Sequence, residues 1–313
     1  MKARNRAPFR MEALLPIPDK ASSQRVPARI EYDQAQVYSG VKREWPAVFL
    51  YLLFGLVCLV FLIGFLPSSW PLVTFLVVTG AQAVFTVLHA ESLLGPRRFF
   101  LLVTLTLSLT FLAEWLGSRF GLLFGHYHYT GVLGPQFLGV PLVIPLAWLT
   151  MLYPSWLLAN MLINPKREGM WFSIFRASLG GALMVGWDLA LDPALSTASG
   201  FWEWESGGVY CGIPVTNFLG WWAVSFLVLL LFELFSRANP KLPLRRGKRP
   251  LILPFLLYLA NMCYAAALCF QGGLDLAGWV GLGWAALVFL TIIIHWFILD
   301  RGNPSSHPGS SAV

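Results

Sequence analysis

Charge is scarce in this sequence. Asp, Glu, Lys and Arg make up 12% of its 313 residues against 57% apolar ones, whereas soluble domains carry about 25% charged and 45–50% apolar residues. A soluble core cannot absorb that excess. Cysteine is rare as well. Cys58, Cys263 and Cys269 fall in apolar runs and Cys211 in a connection, with no CxxC spacing, so neither a zinc site nor a disulfide framework is indicated. No lysine falls inside any long apolar run, which removes a retinal Schiff base. Five histidines are too few for the multi-His clusters of membrane di-iron hydroxylases. No GxGxxG follows a strand, so there is no flavin or nicotinamide signature. A single Asp-x3-Asp pair falls short of the paired Asp-rich motifs that hold magnesium diphosphate in membrane prenyltransferases. Redox and prenyl-transfer chemistry lose ground, while proton-initiated chemistry survives.

Long apolar runs, by contrast, are abundant. A helix needs about 20 apolar residues to cross about 30 Å of hydrocarbon, and eight runs qualify: residues 47–66, 71–90, 98–116, 139–160, 172–191, 219–236, 250–270 and 278–299. Because a bilayer offers backbone groups no water, each run is expected to be a helix with its hydrogen bonds made internally. The expected fold is an all-α polytopic transmembrane bundle of about eight spans.

The formal charge of +7 raises the question of nucleic acid, and the placement of the basic residues answers it. Lys and Arg crowd the N-terminal segment up to Arg43 and recur as Arg97 and Arg98, as Lys166 and Arg167, between Arg237 and Arg249, and at Arg301. The intervening connections hold only Arg119, and Arg176 lies inside the fifth run near its basic end. This alternation is the positive-inside pattern. It works only if all eight runs cross, and it places both termini in the cytoplasm. The basic residues therefore read as topology signals that also suit anionic headgroups of the surrounding lipid, and no nucleic acid is expected as a partner.

Residues 1–44 are rich in Pro and Arg without apolar periodicity and read as a disordered basic tail, with a second disordered tail at 301–313. Residues 45–300 form one transmembrane domain, without the internal repeat that marks two transporter-like halves. The first apolar run is too long for a signal-peptide core and is expected to stay as an anchor. The localisation is that of a multi-pass protein of the plasma (inner) membrane or of an internal photosynthetic membrane.

Two connections on the non-cytoplasmic side are long, 117–138 and 192–218, and long connections in compact bundles often carry function. The first contains His126, Tyr127, His128 and Tyr129, the second Trp202, Glu203, Trp204, Glu205 and Tyr210. Their aromatic content also fits an interfacial belt. His126-x-His128 could offer two imidazoles to a metal, but two ligands are a weak signal and the expectation is interfacial hydrogen bonding with no metal. His89 and His295, toward the cytoplasmic ends of their runs, read as packed or interfacial residues in preference to a haem pair.

Ionisable groups within hydrocarbon are costly and mark function by default. Glu114 ends the third run, and Asp188 and Asp192 end the fifth. The aspartates are four apart and share a helix face, and Gly180, Gly181 and Gly186 would let another helix approach closely. Three carboxyls at one depth beneath two aromatic connections make an acid site, since an apolar environment favours the protonated carboxyl. Such a group can protonate an alkene, its conjugate base or a neighbour can orient water, and tryptophan faces can stabilise the cation between. The plainer readings are that Asp192 with Pro193 ends a helix, that Asp188 satisfies a polar neighbour, and that Glu114 is a helix-end carboxylate that reaches interfacial water or pairs with Arg119.

At these residues the chain resembles the CruF-type carotenoid hydratases and the related hydratases of C50 bacterioruberin synthesis. The resembling strings are FLAEWLGSRFGLLFGHYHYT from Phe111, LGVPLVIPLAWLTM from Leu138, GWDLALDP from Gly186 and GFWEWESGGVYCGIPVTNFLGWW from Gly200. The resemblance covers about residues 45–300 and is strongest from Glu114 to Trp222. It implies addition of water across the C1′,C2′ double bond of an acyclic carotenoid end, as in γ-carotene or lycopene, leaving a tertiary alcohol. It implies no cofactor, and as partners the carotenoid substrate and a pathway neighbour in a carotenoid glycosyltransferase. On the physical reading Asp188 is the acid and Asp192 or Glu114 positions water. Trp187, Trp202, Trp204 and Tyr210 shape the cation pocket, and Asn217, His126 and His128 complete the expected substrate surroundings. Two other readings stay open. One is a lycopene cyclase, although the Pro-x-Glu motif of small membrane cyclases is missing. The other is a carotenoid or lipid carrier without catalysis.

Overall fold

The computed structural model describes residues 49, 52, 54–59, 71–163, 169–236 and 249–301. The tail expected at 1–44 and residues 302–313 of the second tail lie outside these. So does most of the first expected span, of which 49, 52 and 54–59 are described and helical.

Among the described residues, seven helices are long and apolar enough to cross a membrane. They are α1 (Pro71–Leu94), α2 (Pro96–Phe120), α3 (Val143–Leu162), α4 (Met170–Asp192), α5 (Val215–Phe235), α6 (Arg249–Gln271) and α7 (Asp275–Arg301). Each coincides with an expected run to within a few residues, except that the fourth run begins early. Residues 140–141 belong instead to a short hairpin, β2 (Gln136–Phe137) with β3 (Val140–Pro141).

Helix α3 forms the axis of the bundle. It is apolar all round and almost every one of its side chains is buried, as expected of a helix with neighbours on every side. Helix α4 packs most extensively on α5 and also touches α3, α6 and α7. The contact with α5 is close because Gly181 has no side chain: a Cβ there would stand 3.0 Å from the carbonyl oxygen of Trp222. The outer faces are different. Val73, Val77, Leu227, Leu287, Leu290 and Ile294 are large, apolar and exposed, a pattern that water would penalise and lipid tolerates.

One polar cluster crosses this apolar interior. Arg176 of α4 bonds Glu233 of α5 through Nη2, at 2.7 Å, and through Nε, at 3.1 Å. Trp156 Nε1 donates to the same carboxylate at 2.9 Å, and Ser173 Oγ at 3.3 Å. A buried charge is tolerable only when paired and fully hydrogen-bonded, and both partners here meet that condition. Arg176 therefore joins two helices.

The two long connections fold onto one end of the bundle. Gly121 ends α2 in the left-handed conformation, φ 67°, with its N–H bonded to Gly117 O at 2.8 Å. The chain then turns back through β1 (Tyr127–Tyr129), which pairs antiparallel with β4 (Trp202–Trp204), setting Tyr127 opposite Trp204 and Tyr129 opposite Trp202. The α-helix ends at Asp192 with Pro193 as its cap, as the plainer reading of these two residues expects. The chain nevertheless stays helical through a π-helical turn, Pro193–Ala198, and the Leu189 carbonyl that proline, lacking an N–H, leaves free accepts the Tyr210 hydroxyl at 2.7 Å. Ser196 Oγ bonds back to Asp192 O at 2.7 Å and holds the junction.

Candidate functional site

Five helix ends converge beneath this two-stranded cap: the starts of α1, α3 and α5 and the finishes of α2 and α4. Between them lies a chamber. Its walls include Phe75, Phe124, Trp148, Trp187, Trp221, Tyr127, Tyr129, Trp202 and Trp204, and the carboxyls of Glu114 and Asp192 together with Asn217 face it.

Glu114 is buried and accepts three hydrogen bonds. Tyr127 and Tyr129 donate their phenols to Oε2 at 2.5 and 2.7 Å, and Trp148 Nε1 donates to Oε1 at 2.8 Å. Arg119 is not its partner; the connection that follows α2 turns back and delivers the two tyrosines instead. Burial, and next the nearby Glu114 carboxylate, push both phenols well above the usual tyrosine value of 10, so they remain O–H donors.

Asp192 is held in a similar way by different donors. Trp202 and Trp204 of β4 donate their indole N–H groups to Oδ1 at 2.9 and 3.2 Å, and Asn217 Nδ2 donates to Oδ2 at 2.7 Å. The same Nδ2 reaches Asp188 Oδ2 at 2.9 Å. Asp188 is completely enclosed, at 0% exposure, stands behind the chamber wall, and has an Oδ1 without a hydrogen-bond partner. The helix spacing that put Asp188 and Asp192 on one face thus also puts them on one amide.

The aromatic walls are ordered as pairs. Trp148 stacks on Trp221 with centroids 3.8 Å apart and planes 11° from parallel, and Trp187 meets Trp221 edge-on at 6.0 Å. Tyr127 lies 5.0 Å from Trp204. Such faces, with uncharged donors fixed around two carboxyls, can accommodate a flat apolar group that acquires positive charge.

Of the residues singled out in the sequence, Glu114, Asp192, Trp187, Trp202, Trp204 and Asn217 line this chamber. Tyr210 lies away from it, its hydroxyl donating to Leu189 O at 2.7 Å and its ring edge-on to Phe218. His128 is exposed on the outer face of β1, 3.6 Å from Glu203 and 4.0 Å from Glu205. His126 sits against Gly121, which leaves no room there for a Cβ. Among the described residues no group of three or more His, Cys, Asp or Glu is arranged to hold a metal. His89 bonds Tyr153, Nδ1 to Oη at 2.7 Å, toward the opposite end of the bundle. Trp148 and Trp221 carry no signal of their own in the sequence, because both lie within uniformly apolar runs.

No curated protein and no solved structure matches the chain. A family model described as carotenoid biosynthesis protein matches residues 72–290, a stretch that contains both long connections, all three carboxyls and every residue lining the chamber. The chain is a multi-pass membrane protein with a role in carotenoid biosynthesis, and it belongs to the carotenoid biosynthesis protein family.

Proposed function

We propose that this protein is a carotenoid 1′,2′-hydratase that needs no cofactor and adds water to the acyclic end of γ-carotene or a lycopene-type carotenoid. The observation that carries the reading is the Asp188–Asn217–Asp192 arrangement on an aromatic chamber that also presents Glu114. Two carboxyls that share one amide donor in a dry site share one negative charge as well. Asp192, with three N–H donors, is the better site for the charge. Asp188, with a single donor, is the better site for the proton.

In the reaction the pair transfers its proton, through the Asp192 carboxyl that faces the chamber, to C2′ of the terminal alkene. The π electrons form the new C–H bond and leave a tertiary cation at C1′. The stacked Trp148 and Trp221 offer their outer π faces to that charge, worth about 0.5–2 kcal/mol per cation–π contact. Glu114, held by two phenols and an indole, orients a water molecule whose oxygen bonds to C1′. The proton that this water then loses returns to the aspartate pair. One water is added and no electrons are exchanged. The tertiary alcohol is a natural acceptor for a carotenoid glycosyltransferase.

The alternation of basic connections supports an orientation with the chamber toward the non-cytoplasmic face and both termini in the cytoplasm. The direct test is expression in a host that accumulates lycopene or γ-carotene, followed by mass analysis of the pigments. A product one water heavier is expected. An isomer of unchanged mass would identify a cyclase, and an unchanged pigment profile with verified membrane insertion would leave a carrier.

A further inference from the structure

A second chamber adjoins the first. The two share Phe75, Ala147, Trp187, Leu191 and Leu195 in their walls. From this partition the second chamber runs along α1 past Val78 and Thr79 to Gln82 and is closed on its other side by Asn261, Tyr264 and Leu268 of α6. Seven residues of helix separate Phe75 from Gln82, so it extends about 10 Å beyond the carboxyls toward the middle of the membrane.

Its chemistry differs from that of the first chamber. It has no carboxyl, and Tyr264 is the one ionisable residue in its walls, engaged with Thr74 through a side-chain hydrogen bond. The amides of its far end satisfy each other, Gln82 Nε2 donating to Asn261 Oδ1 at 3.0 Å. A lining without free charge offers nothing to a polar headgroup and suits an uncharged hydrocarbon.

Helices α1 and α6 are joined here mainly by side chains. Besides the Gln82–Asn261 and Thr74–Tyr264 bonds, Val78 and Phe85 pack with Leu253 and Leu257, and Val57 of the first span is buried in the same cluster. Side-chain contacts between membrane helices can part without breaking backbone hydrogen bonds, which each helix makes internally, so a long apolar molecule can pass between α1 and α6 where these contacts separate.

We propose that the second chamber is the channel for the hydrocarbon chain of the substrate, threaded through the α1–α6 seam so that only its terminal group reaches Glu114 and Asp192. The inference rests on the carotenoid reading of the first chamber and adds the place where the rest of the molecule lies. It also assigns Thr79 and Leu268 to chain binding, where a larger side chain would obstruct a long substrate more than a short one.

The test uses full-length protein purified in detergent. Lycopene binding is followed by the induced circular dichroism of its visible band, and hydration of lycopene is compared with that of a C15 analogue bearing the same end. Thr79→Trp and Leu268→Trp are each expected to weaken lycopene binding and lower the long-to-short rate ratio by about tenfold or more, equivalent to about 1.4 kcal/mol. Val77→Trp, on the exposed face of α1, is expected to do neither. Should one chamber variant fail to fold, the other and Val78→Phe carry the comparison. Wild-type lycopene affinity and an unaltered rate ratio in the folded chamber variants would overturn the channel while leaving hydration intact. Binding that the chamber variants abolish, in a wild-type protein that hydrates neither compound, would overturn the hydratase reading and keep the channel. A wild-type protein that neither binds nor hydrates would overturn both.

Discussion

Asp188 and Asp192 stand one turn apart on α4 and accept hydrogen bonds from a single atom, Nδ2 of Asn217, at 2.9 and 2.7 Å. Nothing else among the described residues joins two carboxyls so directly to the aromatic chamber. The consequences of that shared donor can be tested by breaking it from either side.

Replacing Asp192 by Asn keeps the size of the side chain and removes the acid. Hydration is expected to fall by about 10²–10⁴-fold, the usual contribution of a positioned proton donor. Asp188→Asn should fall in the same range, and the double variant little further, because the two act as one unit. Steady-state rates on γ-carotene in detergent check this. Near wild-type turnover by a correctly inserted Asp188→Asn protein would end the idea of a shared proton.

The stacked indoles give a separate prediction. Trp221→Leu removes a π face while leaving an apolar wall, so the loss should correspond to about 0.5–2 kcal/mol, a rate decrease of about 2- to 30-fold. Trp221→Phe should recover part of it. Equal rates for all three proteins would exclude cation stabilisation at this wall.

The Arg176–Glu233 pair is remote from the chamber and predicts a different phenotype. Removing one partner, as in Arg176→Ala, leaves a buried charge and should cost about 3–5 kcal/mol of stability. The double variant Arg176→Met, Glu233→Leu should regain most of that. Thermal unfolding in detergent measures both, and activity per folded molecule should remain.

Tyr127 and Tyr129 set an alkaline limit. Burial and the Glu114 carboxylate raise both phenols well above 10 in the folded protein, whereas in the unfolded chain they ionise near 10. The folded state therefore holds protons that the unfolded state has lost once pH exceeds that value. Stability should be insensitive to these groups below pH about 10 and should decline above it. Unfolding midpoints between pH 8 and 11, compared with Tyr127→Phe, Tyr129→Phe protein, should show a shallower decline in the variant.

His128, exposed beside Glu203 and Glu205, lies outside the chamber. His128→Ala should alter stability by no more than about 0.5 kcal/mol, and EDTA should leave hydration unchanged. A chelator-sensitive rate restored by a divalent metal would point to ligands other than those described.

The sequence by itself determined the helical spans, because lipid permits a long apolar run little choice but a helix. It also determined that Asp188 and Asp192 share a face, since a four-residue spacing is nearly one turn. Other features depended on contacts between distant segments. Glu114 could have met Arg119, five residues on, but the left-handed turn at Gly121 sends the chain back so that Tyr127 and Tyr129 reach it first. The pairing of β1 with β4 brings the indoles of Trp202 and Trp204 onto Asp192, ten and twelve residues along the chain. Trp148 and Trp221 carry no local signal, because an indole in an apolar span looks the same whether it faces lipid, core or a chamber. Tyr210, His126 and His128 share the composition of the site residues, and only the fold turns them away from it. Helix formation in a membrane is a local consequence of composition; which side chains converge is set by packing among the helices and a two-stranded cap, and no stretch of sequence contains that information on its own.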